Sequence, residues 1–151
     1  MKKILIALDD TARGRRAGEY AAGILPALAD CELNLLVLTT GVPGHAEAAE
    51  PAPEVHGDED HQRELIQAEM LLEEIAAMLR ESGVASERLQ KRIRPVSRGI
   101  AQDIVDEATA AGCDTIILGR SESSRVRELF LGSISGEVLH KVENQTVWVV
   151  S

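Results

Sequence analysis

Four stretches of this chain are apolar without interruption: Ile4-Leu5-Ile6-Ala7-Leu8, Leu35-Leu36-Val37-Leu38, Ile116-Ile117-Leu118 and Val147-Trp148-Val149-Val150. A strand with one face in water alternates apolar and polar residues. A run that does not alternate is buried on both faces, as in a parallel sheet covered by helices. Helical patterns lie between the runs. The first carries Ala17, Ala21, Ile24, Leu25 and Leu28 at three-to-four spacing, with Asp10 or Thr11 to cap it. Gly14, Gly18 and Gly23 weaken it, and Pro26 ends its regular part. A second helix from about Asp60 to Ser82 places Leu65, Ala68, Leu72, Ile75 and Leu79 on one stripe and stops at Gly83; Met70 and Met78 read as packing residues. A third runs from Gly99 to Ala111 with Ile100, Ile104, Ala108 and Ala111 on one face, and a last one carries Val138, Leu139 and Val142.

A fifth strand, Arg88 to Val96, differs in character. Lys91, Arg92, Arg94 and Pro95 mark it as an edge strand guarded against further pairing. The order is then β-α-β-α-β-α-β-α-β, which implies an α/β fold: a single-domain, open, five-stranded parallel sheet with helices on both faces. Ligands of such sheets bind beyond the carboxyl ends of the strands, where the winding direction reverses. Periodicity does not establish which strands are neighbours there.

The chain has 151 residues, enough for one domain with a real core. Aromatics are only 2%, so that core is built from Val, Ile, Leu and Ala. The formal net charge of −9 argues against nucleic acid and anionic membrane as partners. No segment has the length to span a bilayer, and the N-terminal apolar run is too short for a signal peptide. A soluble, cytoplasmic protein is expected. Cys31 and Cys113 each precede a strand and read as reduced core residues. Residues 40–60, rich in Gly, Pro and acids, read as a long mobile acidic loop. Its His45, His56 and His61 beside Asp58, Glu59 and Asp60 read as solvated chain leading into a helix N-terminus, not as a metal site.

The stretch Gly119 to Gly136 carries the chemistry. A buried strand ends at Gly119, a polar loop follows, and Gly132-Ser133 opens a helix. Glycines let a ligand approach the backbone, the first helical turn offers unpaired N–H groups, and the hydroxyls of Ser133 and Ser135 add donors. That suits an anion. Ser133 alone would also serve as an ordinary helix cap.

In these residues the chain resembles the universal stress proteins, over essentially its whole length (1–151). Members carry Gly-x2-Gly-x9-Gly-[Ser/Thr] after the fourth strand; here this is Gly119-x2-Glu122-x9-Gly132-Ser133, continued by Ile134-Ser135. The family's Asp-x-[Ser/Thr] after the first strand is Asp9-Asp10-Thr11. The resemblance implies strand order 3-2-1-4-5, a Rossmann-like sheet of the adenine nucleotide alpha hydrolase type. It also implies a homodimer through the last strand, where Val147, Trp148, Val149 and Val150 would otherwise be an exposed apolar edge. In nucleotide-binding members, Gly119, Arg120, Gly132, Ser133 and Ser135 would hold phosphates. Asp9 and Thr11 would lie near the nucleoside, and Ala7, Leu38 and Leu118 would line an adenine pocket. ATP or a related adenine nucleotide, with or without magnesium, is the implied ligand.

Glu122 stands where the motif has its second glycine. It removes a residue free to take positive φ and adds a negative charge. At about 7 Å and an effective dielectric of about 20, each charge pair with a phosphate repels by roughly 2 kcal/mol before screening. Arg120, Arg125 or Arg127 would offset this by neutralising Glu122, as would a magnesium ion bridging to phosphate. Two readings therefore stand: a stress-response regulatory module that binds an adenine nucleotide, and a dimeric protein-interaction module of the same fold whose pocket Glu122 impairs. Catalysis beyond slow ATP hydrolysis is not expected. Asp9-Asp10 resembles the acidic pair of receiver domains, but Val96-Ser97 and Ser151 stand where those need an Asp and a Lys.

Overall fold

The computed structural model describes residues 2–24, 30–40, 57–120 and 133–151. Strands β1 (Lys2–Leu8), β2 (Cys31–Thr39), β3 (Leu89–Pro95), β4 (Thr115–Gly119) and β5 (Thr146–Val150) form one parallel sheet in the order β3-β2-β1-β4-β5. Helices α1 (Ala12–Ile24), α2 (Gly57–Glu81), α3 (Ile100–Ala110) and α4 (Ile134–Lys141) cover it. The strand order matches the one the family resemblance implied.

The uninterrupted apolar runs of β1, β2 and β4 are explained by the two faces; the fourth, in β5, is instead a partly exposed edge. Ile4, Ile6 and Leu8 of β1, Leu33, Leu35 and Val37 of β2, and Ile117 of β4 pack with Ala17 and Ala21 of α1 and Leu72, Ile75 and Leu79 of α2. The intervening residues Leu5, Leu36, Ile116 and Leu118 pack on the other side with Ile104 and Ala108 of α3 and Val138 of α4. Burying each such side chain stabilises the fold by about 1.5–3 kcal/mol before entropy is counted.

Both edges fit their sequences differently. β3 is an edge, as its charges indicated. Its side chains alternate between ion pairs on opposite faces: Lys91 meets Glu73 of α2, while Arg92 and Arg94 each reach Glu107 of α3 at 3.3 Å. Glu107 is itself only 9% exposed, so the two guanidiniums compensate a buried carboxylate. β5 is the opposite edge and carries no charge. Trp148 stacks edge-on against Tyr20 of α1, with ring centroids 6.5 Å apart.

Several expectations need correction. The second helix starts at Gly57, so the last four residues of the 40–60 stretch are helical; Glu59 and Asp60 sit in its first turn, where acids are favoured. Met70 is largely exposed, whereas Met78 does pack against the core. Leu139 is also exposed. Gly14 and Gly18 of α1 mark close contacts, whereas Gly23 has open space around it. A Cβ on Gly14 would lie 2.2 Å from Asp9 Oδ1, and one on Gly18 would lie 2.7 Å from the Ile75 side chain. Gly83 ends α2 at φ 102°, with its N–H donating to the Arg80 carbonyl. Leu25, Pro26, Leu28, the histidines 45 and 56, and residues 41–56 in general lie outside the described residues.

Cys31 and Cys113 are buried, free thiols at the amino ends of β2 and β4, away from Gly119. Burial pushes the Cys113 thiol up to about 11. The Asn34 side-chain amide, itself buried, donates to its sulfur at 3.6 Å.

Candidate functional site

The winding direction reverses between β1 and β4. They pair in register, Ala7 opposite Leu118, so Asp9 and Gly119 emerge side by side at their carboxyl ends. Gly119 has no room for a side chain: a Cβ there would lie 2.4 Å from the Arg13 carbonyl oxygen. The first turn of α1 is thus pressed against the end of β4.

Asp9 and Thr11 build that first turn. The Asp9 Oδ1 accepts from the Thr11 N–H at 2.9 Å and from the Thr11 hydroxyl. The Thr11 Oγ1 in turn accepts from the Gly14 N–H at 3.1 Å, capping α1. Thr11 is the cap of the two candidates, and it is tied to Asp9 rather than set against the crevice.

Between these ends lies a crevice of about 110 Å³. Ala7, Leu8 and Asp9 line it from β1 and its end, Leu36 and Leu38 from β2, and Leu118 and Gly119 from β4. Ile100 and Ile104 of α3 and Ile134 of α4 close it. The sequence singled out Ala7, Leu38, Leu118, Asp9 and Gly119; all five line it. Ile100, Ile104 and Ile134 were missed. Ile100, expected in the buried stripe, is 42% exposed and stands at the crevice instead. The signal was Gly99, the residue before α3, whose φ of 109° turns the chain into the helix.

Ser133 is the N-cap of α4, and its Oγ accepts from the Gly136 N–H at 3.1 Å. Its Oγ also lies 3.0 Å from the Ser135 Oγ, and Ser135 is buried. The two hydroxyls therefore act together at the helix start. Arg120, just past β4, donates its backbone N–H to the Val150 carbonyl at 2.7 Å. Glu122, Arg125, Arg127 and Gly132 lie outside the described residues. On the α3 side of the crevice, Asp103 holds the chain before Gly99. Burial raises its carboxyl, but the N–H groups of Ser97 and Arg98 outweigh that and keep it below its ordinary value.

A larger groove of about 570 Å³ runs along the free side of β5, lined by Arg16, Glu19, Tyr20 and the last four residues. It belongs to the edge strand and comes nearest the reversal point at Val150, which pairs with Gly119. Among the described residues, no group of three His, Cys, Asp or Glu side chains is placed to hold a metal ion.

An open parallel sheet with an apolar crevice at its reversal point and helix starts at the rim defines the Rossmann-like class. The universal stress protein family model matches residues 1–151, and the chain belongs to that family. Solved structures agree with the fold. Hypothetical protein MJ0577 is 25% identical, with a TM-score of 0.72 over 99% of this chain and 94% of that one. The universal stress protein of Archaeoglobus fulgidus, in complex with dAMP, is 18% identical, with a TM-score of 0.67 over 100% and 98%. A family protein of Arabidopsis thaliana with AMP bound is 16% identical, with a TM-score of 0.65 over 99% and 91%. No curated protein matches the chain significantly. No described helix is long and apolar enough to cross a membrane.

Proposed function

We propose that this universal stress protein is a regulatory module that binds ATP or a related adenine nucleotide. The carrying observation is the apolar crevice between β1, β2, β4 and α3, with Asp9 and Gly119 together at its rim. Ala7, Leu38 and Leu118, joined by Ile100, Ile104 and Ile134, would enclose the base. Asp9 would meet the ribose, with Thr11 fixing its orientation. Gly119, Arg120, Gly132, Ser133 and Ser135 would receive the phosphates, helped by the N-terminus of α4. The dAMP and AMP bound by two relatives favour an adenine nucleotide here. A binding role is preferred over catalysis because the carboxylate nearest the crevice, Asp9, has one oxygen engaged by Thr11. Residues 1–151 would act as one domain, working as a homodimer through β5 in the cytoplasm.

The test is direct. The purified protein is denatured and the supernatant assayed for released adenine nucleotide; ATP is then titrated with and without magnesium. Released nucleotide, or a thermal shift at about millimolar ATP, supports the proposal. Neither, from freshly purified protein, overturns it.

Glu122 favours a second reading, a dimeric interaction module with an impaired pocket, because it places a carboxylate in the phosphate loop. Replacing Glu122→Gly separates the two. Restored ATP binding in an otherwise inert protein identifies repulsion as the cause.

A further inference from the structure

Two isoleucines one helical turn apart line the crevice from α3, and the fold treats them differently. Ile104 is 4% exposed and belongs to the core on that side of the sheet. Ile100 is 42% exposed. Burial is what makes an apolar side chain stabilising, so Ile100 contributes little to folding where it stands. A flat apolar ring in the crevice would complete its burial.

The turn that delivers Ile100 is nevertheless fixed at both ends. Before it, the Val96 N–H donates to the Thr39 carbonyl at 2.8 Å, which ties the turn to the end of β2 beside Leu38. After it, Asp103 reaches back out of α3. Its Oδ2 accepts from the Ser97 N–H at 2.7 Å, and its Oδ1 accepts from the Arg98 N–H at 3.1 Å and the Ser97 hydroxyl at 3.2 Å. The Asp103 N–H in turn donates to the Gly99 carbonyl at 2.8 Å. Gly99 is the N-cap and has no side chain, so the N–H groups before it are satisfied from inside the helix. A Cβ on Gly99 would meet nothing within 4 Å; glycine is needed there for its φ of 109°. Ser97, Arg98 and Gly99 are all exposed, so these bonds hold no core side chain in place. What they fix is the direction in which α3 begins, and Ile100 is its first residue.

We propose that Asp103 is a positioning residue for the nucleobase: it fixes the turn from Ser97 to Gly99 and so holds Ile100 as the part of the crevice wall that a bound adenine covers. This rests on the adenine nucleotide reading above and adds to it the device that shapes the wall. Asp103 does not itself line the crevice and acts through Ile100.

A double-mutant cycle on the full chain tests this, with ATP titrated by calorimetry into wild type, Ile100→Ala, Asp103→Asn and the double variant. Asparagine leaves one acceptor oxygen where two N–H groups need one each. Ile100→Ala should weaken ATP binding about fivefold, as expected for removing part of one apolar side chain from a contact. Its melting temperature without ligand should stay that of wild type, because the side chain is exposed. Asp103→Asn should weaken ATP binding about threefold, and the double variant should be within about twofold of Ile100→Ala, because both changes act through one side chain. Either single variant binding ATP like wild type overturns the inference and leaves the nucleotide reading standing. Losses that multiply in the double variant also overturn it, since Asp103 then acts independently of Ile100. Wild type that binds no ATP overturns the nucleotide reading, and this inference with it.

Discussion

Gly119 and Gly18 are both glycines in tight places, yet they should respond very differently to alanine. At Gly119 the new methyl meets backbone, the Arg13 carbonyl, which moves only if α1 moves. Gly119→Ala should cost about 1–3 kcal/mol in urea unfolding and weaken nucleotide binding in parallel. At Gly18 the methyl meets the buried Ile75 side chain rather than backbone, and the helix propensity gained by alanine offsets part of that clash, so Gly18→Ala should cost less than Gly119→Ala. Equal losses at the two positions would refute the idea that α1 is pinned to β4. Glu73 offers a pH handle. The hydrogen bond from Lys91, that from Arg80 and their positive charges hold its carboxyl at about 2, below the ordinary 4.5. A depressed carboxylate contributes stability above its unfolded value and loses it as pH falls toward the folded one. Glu73 and its two partners are partly exposed to solvent, so the effect is small and salt-sensitive. Urea midpoints of wild type and Glu73→Gln should therefore converge as pH is lowered from 4.5 to about 2.

At the scale of elements, the strands were legible because burial on both faces leaves a signature that needs no knowledge of neighbours. Ile4, Leu5 and Ile6 are all at most 3% exposed, as an unalternating run demands. The adjacency of β1 and β4 was not legible from periodicity, which carries no information about which strand lies beside which; the family motif supplied it. The lining of the crevice was half legible. Ala7, Leu38 and Leu118 sit at strand ends, whose position follows from chain order alone. Ile100 and Ile104 have the same three-to-four spacing as any core-facing pair, and spacing does not distinguish a core from a crevice wall. Gly14 was misread for a related reason: its contact, Asp9, is close in space through a turn that a propensity scale does not see. Helix α2 tests the packing argument. Ile75 is fully buried against Gly18 and the sheet, and Ile75→Ala should destabilise by about 2–5 kcal/mol in urea unfolding, with Met70→Ala close to neutral.

At the scale of the molecule, the two edges of the sheet are asymmetric. β3 is guarded by arginines and a lysine held by helix acids. β5 presents an uncharged strand whose Val149 is 39% exposed. An unguarded apolar edge invites a second strand. Sedimentation should show wild type as a dimer and Val149→Lys as a monomer at the same concentration; a monomeric wild type would remove β5 as the assembly surface. The same edge holds the chain's single tryptophan, Trp148, with the single tyrosine, Tyr20, beside it. An indole there is a built-in optical gauge. Its emission reports how wet that edge is, so a dilution series followed by fluorescence would read subunit dissociation without any label.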